Sequence, residues 1–210
     1  MELQGHAVAE MPGRVPLREQ NRRRTRRVLL DAALEVFDEK GFGGATVEAI
    51  AARAGASKVT LYSYFPAGRD DLFRTLYEEI NEEVLDRATI EHREASGLVG
   101  QVLALTRPLL DIGARPLIGR FYSNSDPTME PALAPVRGHA SRAVVRLLTD
   151  DITEARAAGT MASEVDPGVL AELLVGATRA ALRQVAQEPN LSQDLLAGVA
   201  ALVRGLLRAA

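Results

Sequence analysis

The segment of residues 56–65, ASKVTLYSYF, combines one lysine with five hydroxyl side chains and few apolar residues. Ammonium and hydroxyl groups donate hydrogen bonds to phosphate oxygens and to the acceptors at base edges. A second segment, REQNRRRTRR at residues 18–27, holds six arginines in ten positions. Together the two segments indicate a surface that binds a polyanion. A charged arm that only keeps the chain soluble is an equally weighted interpretation of the arginine run alone.

Charge is distributed unevenly along the 210 residues, whose net charge is −3. Residues 1–69 contain 11 Lys or Arg and 8 Asp or Glu, a balance of +3, whereas residues 70–210 contain 14 and 20, a balance of −6. The chain has no cysteine, which excludes disulfides, thiolate metal sites and cysteine nucleophiles and fits a cytoplasmic location. No apolar run approaches the roughly 18 residues of a membrane span, so no membrane partner is expected.

Short helices are expected to position the polar side chains. Apolar residues at three- and four-residue steps predict a helix from about Arg22 that ends at the glycines of KGFGGAT. Thr46 and Ser57 are suited to cap two further short helices, which a glycine-containing turn joins with the spacing of a helix-turn-helix. Leu61 and Phe65 are four residues apart on one helix face, so we expect them in the core and the intervening residues on the surface.

The remaining sequence also predicts helices, with no strand-like alternation and no internal repeat. Asp70 and Asp71 suit the positive N-terminal end of a long helix that continues to about Glu94. The fold class is therefore predicted to be all-α, and SNSDPTMEP is expected to be a loop. The further helices are expected over residues 98–110, 117–122, 131–157, 169–185 and 195–207.

The segment ALEVFDEKGFGGATVEAIAARAGASKVTLYSYF resembles the DNA-binding domain of the tetracycline-repressor (TetR/AcrR) family of bacterial transcription regulators. That domain has an alanine-rich first helix ending in Phe-x-x-x-Gly-Phe, then I-A-x-x-A-G and S-x-x-T-L-Y-x-Y-F. Val59 stands where the family often has glycine or proline, and one extra residue, near Gly68, precedes Leu72. The matching positions are Phe37, Gly41, Phe42, Thr46, Ile50, Ala51, Ala54, Gly55, Ser57, Thr60, Leu61, Tyr62, Tyr64 and Phe65.

The resemblance implies a sequence-specific DNA-binding transcriptional regulator, expected to be a ligand-responsive repressor that binds a palindromic operator as a homodimer. It implies base-edge contacts by Lys58, Val59 and Ser63, and by Tyr62, which also suits a phosphate. Arginines of the 22–26 segment would add charge at the backbone or minor groove. Packing between helices is the alternative for Tyr62 and, more seriously, for Tyr64. The full set of implied DNA contacts is Thr46, Ser57, Lys58, Val59, Thr60, Tyr62, Ser63, Tyr64 and Arg69.

Three segments are expected: a flexible basic leader over residues 1–21, the helix-turn-helix domain over 22–81, and a C-terminal helical domain for ligand binding and dimerisation over 82–210. The last two helices, about 167–208, are the candidate dimer surface, because their apolar stripes are wide and contain helix-destabilising glycines. Packing within one subunit is the alternative for part of these stripes. The stripe residues are Leu170, Leu173, Leu174, Ala177, Ala181, Leu195, Leu196, Val199, Leu202, Val203 and Leu206, and the glycines are Gly176, Gly198 and Gly205.

A small-molecule effector is implied by the resemblance, whereas no cofactor and no metal are expected. Small-molecule sites are mostly apolar with a few placed polar groups. Phe121 and Tyr122 are the only aromatic residues after residue 77, and Arg107 and Arg179 lie on otherwise apolar helices. We name these four residues as pocket candidates. Core packing and solvated arginines are the alternatives.

Two other classes of protein remain to be weighed. An enzyme is disfavoured, because no histidine follows a glutamate at the Glu-x-x-His spacing of two-metal helical centres and no G-x-S-x-G or phosphate-binding glycine loop occurs. A helical ligand-binding scaffold that has lost specific DNA binding is the second alternative. It predicts erosion of the basic and hydroxyl residues, which Lys58 and Thr60 argue against.

Overall fold

The computed structural model describes residues 16–124 and 126–208. These residues form ten α-helices and two short 3-10 turns, Pro127–Met129 and Pro189–Leu191. The described ranges contain no β-strand, only one isolated bridge between Met161 and Leu207, so the all-α prediction is confirmed. The helices are α1 (Leu17–Gly44), α2 (Val47–Arg53), α3 (Lys58–Tyr64), α4 (Arg69–Glu94), α5 (Gly97–Gly113), α6 (Pro116–Tyr122), α7 (Glu130–Leu133), α8 (His139–Ala157), α9 (Pro167–Gln187) and α10 (Ser192–Arg204).

The arginine run lies on helix α1, which begins at Leu17 rather than at Arg22 as expected. The last residues of the expected flexible leader are therefore helical, and residues 1–15 lie outside the described part of the chain. Gly41 has a φ of 66° and interrupts the helical geometry near the C-terminal end of α1. This left-handed conformation is one that glycine adopts without a steric penalty, so the predicted break at the glycine cluster is confirmed.

Helices α2 and α3 form the predicted helix-turn-helix. The Thr46 Oγ1 accepts a hydrogen bond from the Ala49 backbone N–H at 3.2 Å, and the Ser57 Oγ accepts one from the Thr60 backbone N–H at 3.0 Å. Each bond satisfies a backbone donor that has no partner within its helix. The turn between the helices is made by Gly55, whose φ is 62°.

One helical prediction in the second half of the chain is wrong. The expected helix over residues 131–157 is divided into α7 and α8 by an irregular turn. Gly138 has a φ of 84° in this turn and precedes α8 directly. The apolar spacing continues across the break through the buried Leu133, Val136 and Ala140, which is why periodicity alone predicted one helix.

The core beneath the helix-turn-helix is shared with a later helix. Phe37 on α1, Phe73 on α4 and Phe121 on α6 are all buried, and their ring centroids lie 5.4–5.8 Å apart. Leu61 and Phe65 are buried in the same cluster, as predicted. The N-terminal helices are thus packed against α6, and the domain boundary that we place after residue 81 falls inside the uninterrupted helix α4.

Glycines allow two close approaches of helix α5. A Cβ atom on Gly119 would collide with the carbonyl oxygen of Gly113 and lie 2.7 Å from its carbonyl carbon, so α6 approaches the end of α5 closely only with glycine at this position. A Cβ atom on Gly113 would lie 2.5 Å from the side chain of Val185 on α9, which would have to shift. The position of α6, and with it that of Phe121, therefore follows from this approach. No helix among the described residues is long and apolar enough to cross a membrane.

Candidate nucleic-acid interface and adjoining cavity

The solvent-facing side of α3 presents the residues that were predicted to contact bases. Val59 is 79% exposed and Tyr62 is 48% exposed, although both are large apolar or aromatic side chains. Lys58 and Ser63 are exposed beside them. Because Leu61 and Phe65 anchor the opposite face, this outer face is held in one orientation and is free to enter a groove.

Lys58 is held only weakly within the protein. Its Nζ lies 3.1 Å from the Glu48 Oε1, and the two side chains are 57% and 65% exposed. The pKa of Glu48 is lowered, first by a backbone hydrogen bond at the start of α2 and then by Lys58. An exposed pair of this kind is weak because solvent screens it, so Lys58 can leave Glu48 for a stronger acceptor at little cost.

The hydroxyl groups of the interface have two kinds of partner. Those of Thr46 and Ser57 serve as helix caps, and the Ser57 and Thr60 Oγ atoms lie 2.9 Å apart. The Ser63 hydroxyl donates to the Thr60 carbonyl oxygen at 2.7 Å. A hydroxyl offers one donor and two acceptor positions, so these contacts leave some of that capacity for a phosphate or a water.

The N-terminal half of α1 borders α3. The guanidinium group of Arg22 lies 5.7 Å from the ring centroid of the half-buried Tyr64, so Tyr64 packs between two helices. Arg18, Arg22 and Tyr64 line one open groove, and Arg24 and Thr60 line a second one. Arg18, Arg22 and Arg24 have no ion-pair partner among the described residues, and they add unneutralised positive charge next to the α3 face.

Arg69 has partners within the protein, at the end of helix α1. Its Nη1 donates to the Phe42 carbonyl oxygen at 3.2 Å, and its guanidinium lies 4.2 Å from the Phe42 ring centroid. Gly68 adopts a φ of 65° as the N-cap, and Arg69 is the first residue of α4. Arg69 therefore packs at the junction between α1 and α4, and its phosphate contact stays a prediction.

A cavity of about 270 Å³ lies further along α4. An apolar recess of about 50 Å³ adjoins it, and the two share Leu109, Tyr122, Ser141 and Arg179. The Tyr122 hydroxyl donates to the Asn81 Oδ1 at 2.6 Å, and burial raises the pKa of Tyr122 above its ordinary value. The other residues that line the cavity are Tyr77, Ser123, Asn124, Arg137, Gly138, Leu182 and Arg183.

Comparison with known proteins identifies the family. Residues 29–76 match the family model of bacterial regulatory proteins, tetR family. Over 135 residues the chain is 33% identical to the HTH-type transcriptional repressor LfrR of Mycolicibacterium smegmatis, a match that covers 63% of this chain and 68% of LfrR. The chain belongs to the TetR family. It is a DNA-binding transcriptional regulator, as the resemblance of its first third implied.

Two further relatives match this TetR-family regulator over most of its length. The HTH-type transcriptional regulator UidR of Escherichia coli is 24% identical, over 88% of this chain and 94% of UidR. The transcriptional regulator FadR of Bacillus subtilis, solved in complex with stearoyl-CoA, has the same fold with a TM-score of 0.66. Its identity is 17%, and the match covers 83% of this chain and 97% of FadR.

Two of the four predicted pocket residues do not line the regulator's cavity. Phe121 is fully buried in the aromatic core, where its ring contacts Phe37 and Phe73. Arg107 lies outside the cavity, where its Nη1 pairs with the Glu91 Oε2 at 3.1 Å. Tyr122 and Arg179 do line the cavity.

Sequence reasoning missed the other polar residues of the cavity. Arg137 was overlooked because it lies in the turn that was predicted to be helical. Tyr77 was not among the pocket candidates, yet it is half-buried and its ring centroid lies 4.9 Å from that of Tyr122. Burial raises the pKa of Tyr77, with the nearby Arg137 opposing the shift. The placement of Pro135 and Gly138 was the sequence signal that could have identified this turn.

Most of the predicted dimer stripe packs within the subunit. The exceptions are Leu173, which is 65% exposed, and Leu202, which is 57% exposed. A Cβ atom on Gly176 or Gly198 would meet no atom of this chain within 4 Å, so both glycines face open space. The residues that are instead buried in the subunit are Leu170, Leu174, Ala181, Leu196, Val199 and Val203.

Proposed function

We propose that this regulator is a repressor that binds a palindromic operator as a homodimer and releases it when a small molecule occupies the cavity. The proposal rests on helix α4, which extends from the helix-turn-helix to the cavity. This helix begins five residues after α3 ends, and its residues Tyr77 and Val84 line the cavity and its recess. One rigid element therefore connects the candidate reading helix to the candidate effector site.

In the proposed DNA complex, α3 lies in the major groove. Lys58 donates to guanine acceptors and Val59 packs on a thymine methyl group, which are the pairings that such side chains make at base edges. Thr46 and Tyr62 donate to phosphates, and Arg22 and Arg24 add charge at the backbone. This assignment is supported by the exposure of the α3 face and by the unneutralised arginines beside it. Binding to chromosomal DNA corresponds to a cytoplasmic location.

The proposed dimer joins the outer faces of α9 and α10. Leu173 and Leu202 are large exposed apolar residues on these faces, and the glycines at 176 and 198 would allow two backbones to approach closely. Two α3 helices related by a dimer axis would read half-sites about 34–36 Å apart, or a multiple of that distance. An effector that binds more tightly to a dimer with another spacing shifts the population away from the DNA-competent state. The shift cannot exceed the effector's differential affinity for the two states. That LfrR is a repressor supports repression, and that FadR was solved with stearoyl-CoA supports binding of a small molecule.

The test is selection of random duplexes by the full-length protein, followed by sequencing and a salt titration. We expect an enriched palindrome, and Lys58→Ala should weaken binding to it by roughly 5- to 150-fold while relaxing the preference at one base pair of each half-site. The matched control is Lys40→Ala, which removes the only other lysine and lies outside α3. It should leave the selected sequence unchanged. Weak, salt-sensitive binding without an enriched sequence would refute the proposal and favour the ligand-binding scaffold.

A further inference from the structure

The cavity beside α4 is lined by cations and by no anion. Arg137, Arg179 and Arg183 contribute to its wall, and its described lining contains no Asp or Glu. Arg137 is neutralised by Glu130, whose Oε2 lies 2.8 Å from its Nη1. Arg179 and Arg183 have no ion-pair partner within the described ranges, and the only hydrogen bond of the Arg179 side chain is from its Nε to the Ser141 Oγ at 3.2 Å.

The two tyrosines of the wall do not supply the missing negative charge. Burial raises the pKa of both Tyr77 and Tyr122, so both phenols are neutral at physiological pH. The Tyr122 proton is already donated to Asn81. Arg179 and Arg183 are exposed to solvent, so the cavity carries uncompensated positive charge on its solvent-facing wall, from two guanidinium groups that remain protonated in proteins.

Arg179 and Arg183 are positioned to act on one ligand group. They are four residues apart on α9 and so lie on the same side of the helix, where two like charges repel each other. An oxyanion between them removes this repulsion, and the planar guanidinium group matches the two oxygens of a carboxylate or a phosphate. The Ser141 hydroxyl and the Asn124 side chain lie on the same cavity wall and provide neutral polar partners.

The recess behind the arginines is apolar. Beyond the four residues that it shares with the main cavity, it is lined chiefly by aliphatic side chains. A hydrocarbon group is favoured there, because its apolar surface would be removed from water. Beyond the shared residues, the aliphatic residues that line the recess are Val84, Leu105, Ala140, Val144, Leu148 and Val175.

We infer that the effector is a small amphiphile with an oxyanion head, a carboxylate or a phosphate ester, joined to a compact hydrocarbon group. The head binds Arg179 and Arg183, and the hydrocarbon enters the recess between α4, α5, α8 and α9. Lipophilic cations are excluded by the same charge. The inference rests on the proposed function only in that it treats this cavity as the effector site.

The test uses the full-length protein and four probes with the same eight-carbon chain: octanoate, octyl phosphate, 1-octanol and octylammonium. An eight-carbon chain is longer than the recess of about 50 Å³ can hold, so only its end enters the recess and the rest lies in the cavity of about 270 Å³. Calorimetric titration should show that octanoate or octyl phosphate binds at least tenfold more tightly than octanol, with no binding of octylammonium. The two anionic probes distinguish a carboxylate from a phosphate head.

Two single substitutions test whether Arg179 and Arg183 bind the anionic probe. Arg179→Gln and Arg183→Gln should each weaken binding of the preferred anion by roughly 10- to 100-fold and leave octanol binding unchanged. The matched control, Arg107→Gln, removes an arginine that pairs with Glu91 outside the cavity and should change neither. The inference is overturned if neither anion binds, if octylammonium binds equally well, or if Arg107→Gln has the same effect as Arg179→Gln.

A second readout separates this inference from the proposed function. The anion that binds should release a labelled duplex carrying the selected palindrome, and Arg179→Gln should raise the concentration needed by the same factor. If a palindrome is selected but no anion binds, the inference fails and the DNA-binding proposal stands. If an anion binds through Arg179 and no palindrome is selected, the proposed repressor function fails and the ligand assignment of the cavity stands.

Discussion

Replacement of Gly119 by alanine tests whether the approach of α5 to α6 positions both the aromatic core and the cavity. The added Cβ would collide with the carbonyl oxygen of Gly113 and would lie 2.7 Å from its carbonyl carbon and 3.2 Å from its Cα. Non-bonded carbon atoms prefer separations of about 3.5–4.0 Å, so α6 has to move by at least roughly 1 Å. All three obstacles are backbone atoms, so no side-chain rotation can relieve the contact.

The size of the change in the free energy of unfolding follows from the contacts that Phe121 makes on α6. Overpacking costs about 1–3 kcal/mol, and a displaced Phe121 would lose part of its three ring contacts, each worth about 0.5–1.5 kcal/mol. The higher helix propensity of alanine offsets about 0.8–1 kcal/mol of this cost. We therefore expect Gly119→Ala to lower the free energy of unfolding by roughly 1–3 kcal/mol. Tyr122 follows Phe121 directly, so effector binding should weaken in parallel.

Urea unfolding followed by circular dichroism measures the effect, since the chain has no tryptophan to report by fluorescence. Protein concentration has to be held constant, because dimerisation couples to unfolding. The matched control is Gly100→Ala in α5, where the nearest atom to the new Cβ is the Ala95 Cβ at 3.8 Å. This variant should be up to about 1 kcal/mol more stable than the parent. A Gly119→Ala protein that gains stability as the control does would refute the close approach.

Two buried polar pairs give the remaining predictions. Tyr122→Phe should lower the free energy of unfolding by about 1–3 kcal/mol, because it leaves the buried Asn81 Oδ1 without its donor; urea unfolding at constant protein concentration checks this. Burial raises the pKa of Asp151 above its ordinary value of 3.8, with His92 opposing the shift. Between pH 3.8 and the raised pKa, the native state therefore binds more protons than the unfolded state. The contribution of Asp151 to the free energy of unfolding falls as the pH rises through this interval. Asp151→Asn, which cannot ionise, should therefore be more stable relative to the parent at pH 7 than at pH 4, and an equal difference at both pH values would contradict the assignment.

Local chemistry was enough to predict the reading helix. The capping hydroxyls of Thr46 and Ser57 and the four-residue spacing of Leu61 and Phe65 depend on neighbours within one or two turns, and all four residues occupy the predicted positions. The division between α7 and α8 also had a local signal in Pro135 and Gly138, because proline disrupts a helix interior and glycine is favoured where φ is positive, as it is at Gly138 directly before α8.

Long-range packing explains what could not be predicted. Whether an aromatic residue lines a cavity or fills a core depends on which distant helices surround it, and Phe121 contacts residues of α1 and α4 that lie far away in the sequence. The same applies to the two arginines that were predicted to line the pocket. Arg107 pairs with Glu91 on α4, whereas Arg179 lines the cavity and has no ion-pair partner among the described residues. Residue type and periodicity were the same for both, so the sequence did not distinguish them.

The aromatic core beneath the reading helix has a consequence for engineering. Hybrid sensors are designed by exchanging the first part of one regulator for that of another, with the junction placed in the helix that connects them. Here such a junction at residue 81 would separate Phe37 and Phe73 from Phe121, which fills the space between them from the other side of the cut. To obtain a functional hybrid, residues 116–122 would have to be transferred together with residues 1–81. Otherwise, new aromatic contacts would have to be designed between the two parts. The unit that can be exchanged in this chain is therefore set by the contacts between the aromatic rings, and it is not one continuous stretch of residues.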